Sequence, residues 1–141
     1  LAARMLRFLE PSLLAASVTA RVEPARRVAT AWCDPAMVEQ VLLNLLKNAI
    51  EAQEGGGSIV LATGFSEDRA WIDVSDAGPG ITPDMQQQLF HPFVSTKGEA
   101  GTGLGLAVSR RLARAQGGDL EHIPGAPGTT WRLILPRNAT T

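Results

Sequence analysis

Apolar residues recur along this chain with two periods, and the changes of period mark its elements. Met5, Leu6, Phe8, Leu9, Leu13 and Leu14 fall mostly at helical spacing over residues 1–14, where Pro11 should break or kink the helix. Val18 to Val22 alternates and predicts a strand. Val28 to Cys33 predicts a second, with Glu23-Pro24-Ala25 as a turn signal between them. Asp34 as N-cap and Pro35 at the first helical position predict a helix to about Glu54, stopped by Gly55-Gly56-Gly57. Ile59 to Phe65 and Ala70 to Ser75 predict a hairpin around Glu67-Asp68. Thr82-Pro83-Asp84 caps a short predicted helix through Gln88 or Leu89. The run Leu104, Leu106, Ala107, Val108, Leu112 and Ala115 predicts a helix from Gly103 or Leu104 to Gly117-Gly118. Leu120 to Ile123 and Thr129 to Leu135 predict two closing strands. Strands and helices mix without regular alternation, which predicts an α/β fold with the helices on one face of a sheet.

Composition narrows the picture. The chain has 141 residues, of which 45% are hydrophobic and 19% charged. That suffices for one domain burying roughly two-thirds of its unfolded surface. A net charge of −1 gives no basic field for nucleic acid or acidic membranes. Cys33 is the single cysteine, which excludes an internal disulfide and a cysteine-based zinc site and suits a reducing compartment. No apolar run is long enough to span a bilayer, and nothing resembles a signal peptide. The chain begins in mid-pattern without an initiator Met, as a piece of a longer protein would.

The chemistry concentrates between Asp76 and Leu106. Alternating Ala70, Ile72 and Val74 should deliver Asp76 to a strand end, and Gly101-Thr102-Gly103-Leu104-Gly105 feeds a helix N-terminus. Free N–H groups and the positive dipole end make such a terminus an anion site, with phosphate the obvious candidate. A carboxylate only accepts hydrogen bonds, so Asp76 suits a donor on the same ligand, such as an exocyclic amino group. On the helix from 35 to 54, Val38, Val41, Leu42, Leu45, Ala49 and Ala52 make an apolar face. Gln40, Asn44, Asn48 and Glu51 make a second stripe, read either as a solvated face or as placed ligands. Asn is an indifferent helix former, and its amide oxygen suits a Mg²⁺ that also holds ATP phosphates.

Together these segments resemble the ATP-binding catalytic domain of sensor histidine kinases, in the wider group with gyrase, Hsp90 and MutL. Gln40 to Ala52 resembles the asparagine box, Asp76 to Gly80 the first glycine box, Phe90 to Phe93 the phenylalanine box, and Gly101 to Leu106 the second glycine box. The resemblance implies a two-layer α/β sandwich of Bergerat type over residues 1–141, with 1–15 as its N-terminal helix and 94–100 as an ATP lid. It implies Mg²⁺ and ATP as cofactors, with Asn48 as metal ligand and Asp76 on the adenine amino group. Gly78 and Gly80 would allow close approach, and Thr129 would support the base. Gly101, Thr102, Gly103, Leu104 and Gly105 would hold the phosphates. Phe90 and Phe93 would anchor the lid.

Two departures from the family pattern stand out. Gyrase-like members carry a glutamate base one turn before the metal Asn; here it is Asn44, which cannot act as a base at neutral pH. A basic residue common three positions after that Asn is replaced by Glu51, which leaves Lys97 of the lid to reach the γ-phosphate. His91 and His122 are the only histidines, and neither sits in a phosphoacceptor context. The implied partners are therefore a separate dimerisation and histidine-phosphotransfer domain and a downstream response regulator. The implied location is cytoplasmic, on a full-length kinase free to be membrane-anchored. Rival readings are a nucleotide-binding pseudokinase and an anti-sigma-factor-type serine kinase.

Overall fold

The computed structural model describes residues 2–23, 31, 33–53, 55–78, 105–124 and 128–137. Helix α1 spans Ala2–Phe8 and α2 spans Glu10–Ala15. The expected break falls at Leu9, which puts Pro11 in the first turn of α2, where its missing N–H costs no helical hydrogen bond. Strand β1 (Val18–Glu23) follows a left-handed Ser17 with φ 57°.

Helix α3 spans Pro35–Glu51, and the Asp34 side chain caps it by accepting from the Ala36 N–H at 3.0 Å. It stops before the glycines, and the turn is completed through Gly55 and Gly56, both at positive φ. Strand β2 (Gly57–Phe65) and strand β3 (Arg69–Asp76) form the expected antiparallel pair, and Asp76 is the last residue of its strand. Helix α4 spans Gly105–Ala115, then β4 (Asp119–Ile123) and β5 (Thr129–Pro136) close the fold.

The strand expected at Val28–Cys33 is corrected at the two positions described there. Ala31 and Cys33 carry no strand structure, although both lie partly buried against the core. The Asp34 N–H just beyond them donates to the Gln116 side chain at 2.8 Å, which ties the entry of α3 to the residue after α4. The short helix expected at 82–89 lies outside the described residues.

The sheet order is β1-β2-β3-β5-β4, with β1 parallel to β2 and the other pairs antiparallel. The parallel pair requires the crossover that α3 supplies. Ile59, Leu61, Val74, Trp131, Leu133, Leu135 and Leu120 share one face and are buried. They meet Val38, Val41, Leu42, Leu45, Leu46 and Ala49 of α3 in one core that also takes in Met5, Leu9, Leu13 and Ala113. This is a two-layer α/β sandwich. On the other face Arg132 clamps Asp73 through two bonds of 2.8 and 2.9 Å and covers the Trp71 ring at 4.9 Å. Among the described residues, no helix is long and apolar enough to cross a membrane.

Candidate nucleotide-binding site

The alternation of β3 ends where the core ends. Val74 is buried, and Asp76, two residues on, lies on the same face at the end of this central strand. Its direct neighbours in the ladder are Ile59 on β2 and Thr129 on β5. Thr129 is buried, so the carboxylate and this hydroxyl residue stand side by side beneath the helical layer. Gly128, at φ 84°, makes the approach possible: a Cβ there would run into the Asp76 carbonyl oxygen.

Beyond Asp76 the chain turns at once. The Gly78 N–H donates to Asp76 Oδ1 at 2.8 Å, a local Asx-type turn that fixes the carboxylate's orientation. A Cβ on Gly78 would sit 3.0 Å from that oxygen and 3.1 Å from the Ala52 carbonyl oxygen. The turn therefore lies against the C-terminal end of α3, and glycine is what lets it do so.

Asn48 lies one turn back along the same helix and is half-buried; its carbonyl accepts the Ala52 N–H at 3.0 Å. Asn44, a further turn back, donates from Nδ2 to the Ser109 Oγ of α4 at 3.0 Å. The Asp34–Gln116 bond joins the start of α3 to the end of α4, so the two helices are antiparallel neighbours. Continuing that register by one turn from the Asn44–Ser109 contact brings Asn48 level with Gly105, the first described residue of α4. A Cβ on Gly105 would meet nothing within 4 Å, so no described neighbour requires a glycine there.

Asp76, Gly78, Thr129, Asn48 and Gly105 are thus brought to one edge of the sandwich, between the strand ends and the two helices. Gly80, Lys97, Gly101, Thr102, Gly103, Leu104 and the expected lid at 94–100 lie outside the described residues. Glu51 is exposed on the last turn of α3. His122 packs edge-on against Trp131, ring centroids 5.3 Å apart, and burial pushes its pKa down from 6.5. Among the described residues no group of three or more His, Cys, Asp or Glu side chains could cage a metal. The donor set here, a neutral amide oxygen beside an anion-seeking helix end, instead fits a small hard cation that arrives already bound to phosphate oxygens.

Two residues escaped the sequence reading. Gln53, 5% exposed, sits under the Asp76 turn, and Ser109, fully buried, faces Asn44. Their signal was faint: both are polar residues in the buried phase of a helix or its first turn beyond.

The described residues form an α/β sandwich in which one helix face, one strand end and the start of α4 meet at one edge. The family model described as histidine kinase-, DNA gyrase B- and HSP90-like ATPase matches residues 33–139. The chain belongs to that family, with the ATP-binding catalytic domains of two-component histidine kinases as its counterparts. The signal transduction histidine-protein kinase AtoS of Escherichia coli (strain K12) is 43% identical over 108 residues, covering 74% of this chain and 17% of AtoS. The nucleotide-free catalytic domain of histidine kinase ThkA superposes with a TM-score of 0.85 at 26% identity, covering 96% of this chain and 90% of that one. Full-length ShkA in complex with AMPPNP superposes with a TM-score of 0.85 at 25% identity, covering 99% of this chain and 30% of that one. This chain therefore spans a minor part of the full-length kinases it matches.

Proposed function

We propose that the chain binds Mg²⁺-ATP at this edge and presents the γ-phosphoryl group to a histidine on a separate dimerisation domain. Asp76 accepts from the adenine amino group, Thr129 supports the base from the neighbouring strand, and Gly78 and Gly80 leave the base room. Asn48 supplies an oxygen to Mg²⁺, whose charge offsets that developing on the phosphates. Gly101, Thr102, Gly103, Leu104 and Gly105 give the phosphates backbone N–H groups at the start of α4. Lys97 closes on the γ-phosphate from the lid at 94–100. Asn44 offers no base to activate water, and its amide is already committed to Ser109. ATP is thus held for transfer rather than hydrolysis, and catalysis is positioning with charge stabilisation.

The observation that carries the reading is the convergence of Asp76, Asn48 and the α4 N-terminus on one edge. Support also comes from ShkA, solved with AMPPNP, and from ThkA, solved in complex with the response regulator protein TrrA. In this reading a response regulator is the downstream partner and the domain works in the cytoplasm, whatever anchors the whole kinase.

The test supplies radiolabelled ATP and a histidine-bearing dimerisation domain. Acid-labile, alkali-stable phosphate should appear on that domain, while the chain alone releases phosphate only slowly. Acid-stable phosphoserine on a protein substrate would replace the histidine-kinase reading with a serine kinase. Rapid hydrolysis by the chain alone would replace it with a gyrase-like ATPase.

A further inference from the structure

We propose that Gln53 is a positioning residue for adenine recognition, its buried amide holding the Asp76 turn in register with the Asn48-bearing end of α3. The proposal rests on the assignment of Asp76 to the base and Asn48 to the metal.

Gln53 lies immediately after the C-cap residue Ala52. Its Nε2 donates back to the Ala49 carbonyl at 3.0 Å, next in the chain to Asn48. Its Oε1 accepts twice, from the Ser58 N–H at 2.9 Å and from the Ala77 N–H at 3.1 Å. One side chain thereby ties together the last turn of α3, the start of β2 and the residue following Asp76. Gly57 makes room for it, since a Cβ there would collide with Oε1.

An amide in this position has a specific use. A buried polar group is costly unless its hydrogen bonds are made, and packing alone would favour a Met or Leu. Ala77 separates Asp76 from Gly78, whose N–H orients the Asp76 carboxylate. Holding the Ala77 N–H fixes the Asp76–Ala77 peptide plane, and so the direction in which Asp76 faces. Without Oε1 the Ala77 N–H loses its acceptor and the turn can rotate, spoiling the one hydrogen bond that distinguishes adenine from guanine. The backbone of α3 and β2 would persist on its own ladder and core.

The test compares Gln53→Met, Gln53→Glu and Asp76→Asn in the 141-residue chain, by calorimetry with ATP and with GTP. The ratio of the two dissociation constants does not depend on how much protein is folded, so it separates positioning from stability. Gln53→Met should weaken ATP by roughly tenfold and GTP little, moving the ratio in the same direction as Asp76→Asn. Gln53→Glu keeps an acceptor for both N–H groups and should preserve most of the discrimination. Combining Gln53→Met with Asp76→Asn should give no further loss. Amide exchange in the ligand-free chain should quicken at Ala77 in Gln53→Met. If Gln53→Met leaves the ratio unchanged while Asp76→Asn lowers it, Gln53 serves the fold alone and the proposal falls. If Asp76→Asn itself leaves the ratio unchanged, the adenine assignment falls and takes this proposal with it.

Discussion

Asn44 and Ser109 meet across the seam between α3 and α4, the Asn44 Nδ2 donating to the Ser109 Oγ at 3.0 Å. Ser109 is fully buried and Asn44 partly so, which limits the access of water to this contact. It joins the helix that bears Asn48 to the helix whose first described residue is Gly105. Ser109→Ala should destabilise the chain by about 1 kcal/mol, and a double-mutant cycle with Asn44→Ala should return a coupling of about 0.5–1.5 kcal/mol. Denaturant titration of the four proteins measures it. Additive losses would mean that the bond contributes nothing beyond its two side chains.

Asp76 should select adenine. Guanine presents a carbonyl where adenine presents an amino group, and two acceptors repel. A charged hydrogen bond is worth about 1.5–3 kcal/mol, or roughly ten- to a hundredfold in affinity. ATP and ADP should bind, GTP should bind poorly, and Asp76→Asn should weaken ATP. Equal calorimetric affinities for ATP and GTP would remove Asp76 from this role.

Asn48 should act through the metal. Asn48→Ala should lower ATP affinity in Mg²⁺ and change it much less in EDTA. Equal losses in the two buffers would instead indicate a direct nucleotide contact or a folding defect.

On the proposed reading, Lys97 supplies the cation that Glu51 replaces and should read the γ-phosphate. Lys97→Ala should weaken ATP more than ADP, by at most about 1.5–3 kcal/mol and less where water screens the charge. It should also slow transfer to the supplied histidine domain. Equal effects on ATP and ADP, or none, would make Lys97 a surface lysine.

Stability should fall with acid in two stages. Burial depresses the His122 pKa below 6.5, so the unfolded chain takes up that proton first. Its contribution is complete above about pH 6.5 and is lost as the pH drops through the lower folded value. Asp119 is the second case. Burial alone would raise its pKa, but the Leu120 N–H and the Arg114 and Arg110 side chains bond its carboxylate and bring the net shift below 3.8. Its contribution is present above that value and is lost as the pH falls through the folded one. Thermal melts of His122→Phe and Asp119→Asn across pH 3–8 should each lose the corresponding part of the slope.

How much of this was legible depends on the range of each signal. Asp34-Pro35 and the β3 alternation ending at Asp76 are local patterns; the helix starts and the strand ends where they place them, while the helix stops at Glu51, three residues short of the expected Glu54. The partner of β1 was not legible, because a parallel pair across α3 leaves no turn sequence at the join. The strand read over residues 28–33 failed at Ala31 and Cys33, which lie partly buried against the core without pairing in the sheet. At this edge the ladder pairs Asp76 with Thr129, each part of a short motif. Gln53 and Ser109 were not legible, since Ala77 and Asn44, which they bond, lie 24 and 65 residues away in the chain.

The ladder between β3 and β5 carries one more consequence, for folding and for variation. It sets Asp76 opposite Thr129, so residues 77–128 leave one central strand and return to its neighbour. Pairing so far apart in sequence is entropically expensive to nucleate, and it should make closure of the sheet's centre a slow, late event. Once closed, the junction is nearly indifferent to the length of what it encloses, because doubling a flexible loop adds only about 0.6 kcal/mol. Length changes within the enclosed segment should therefore leave the register of the sheet beneath unchanged.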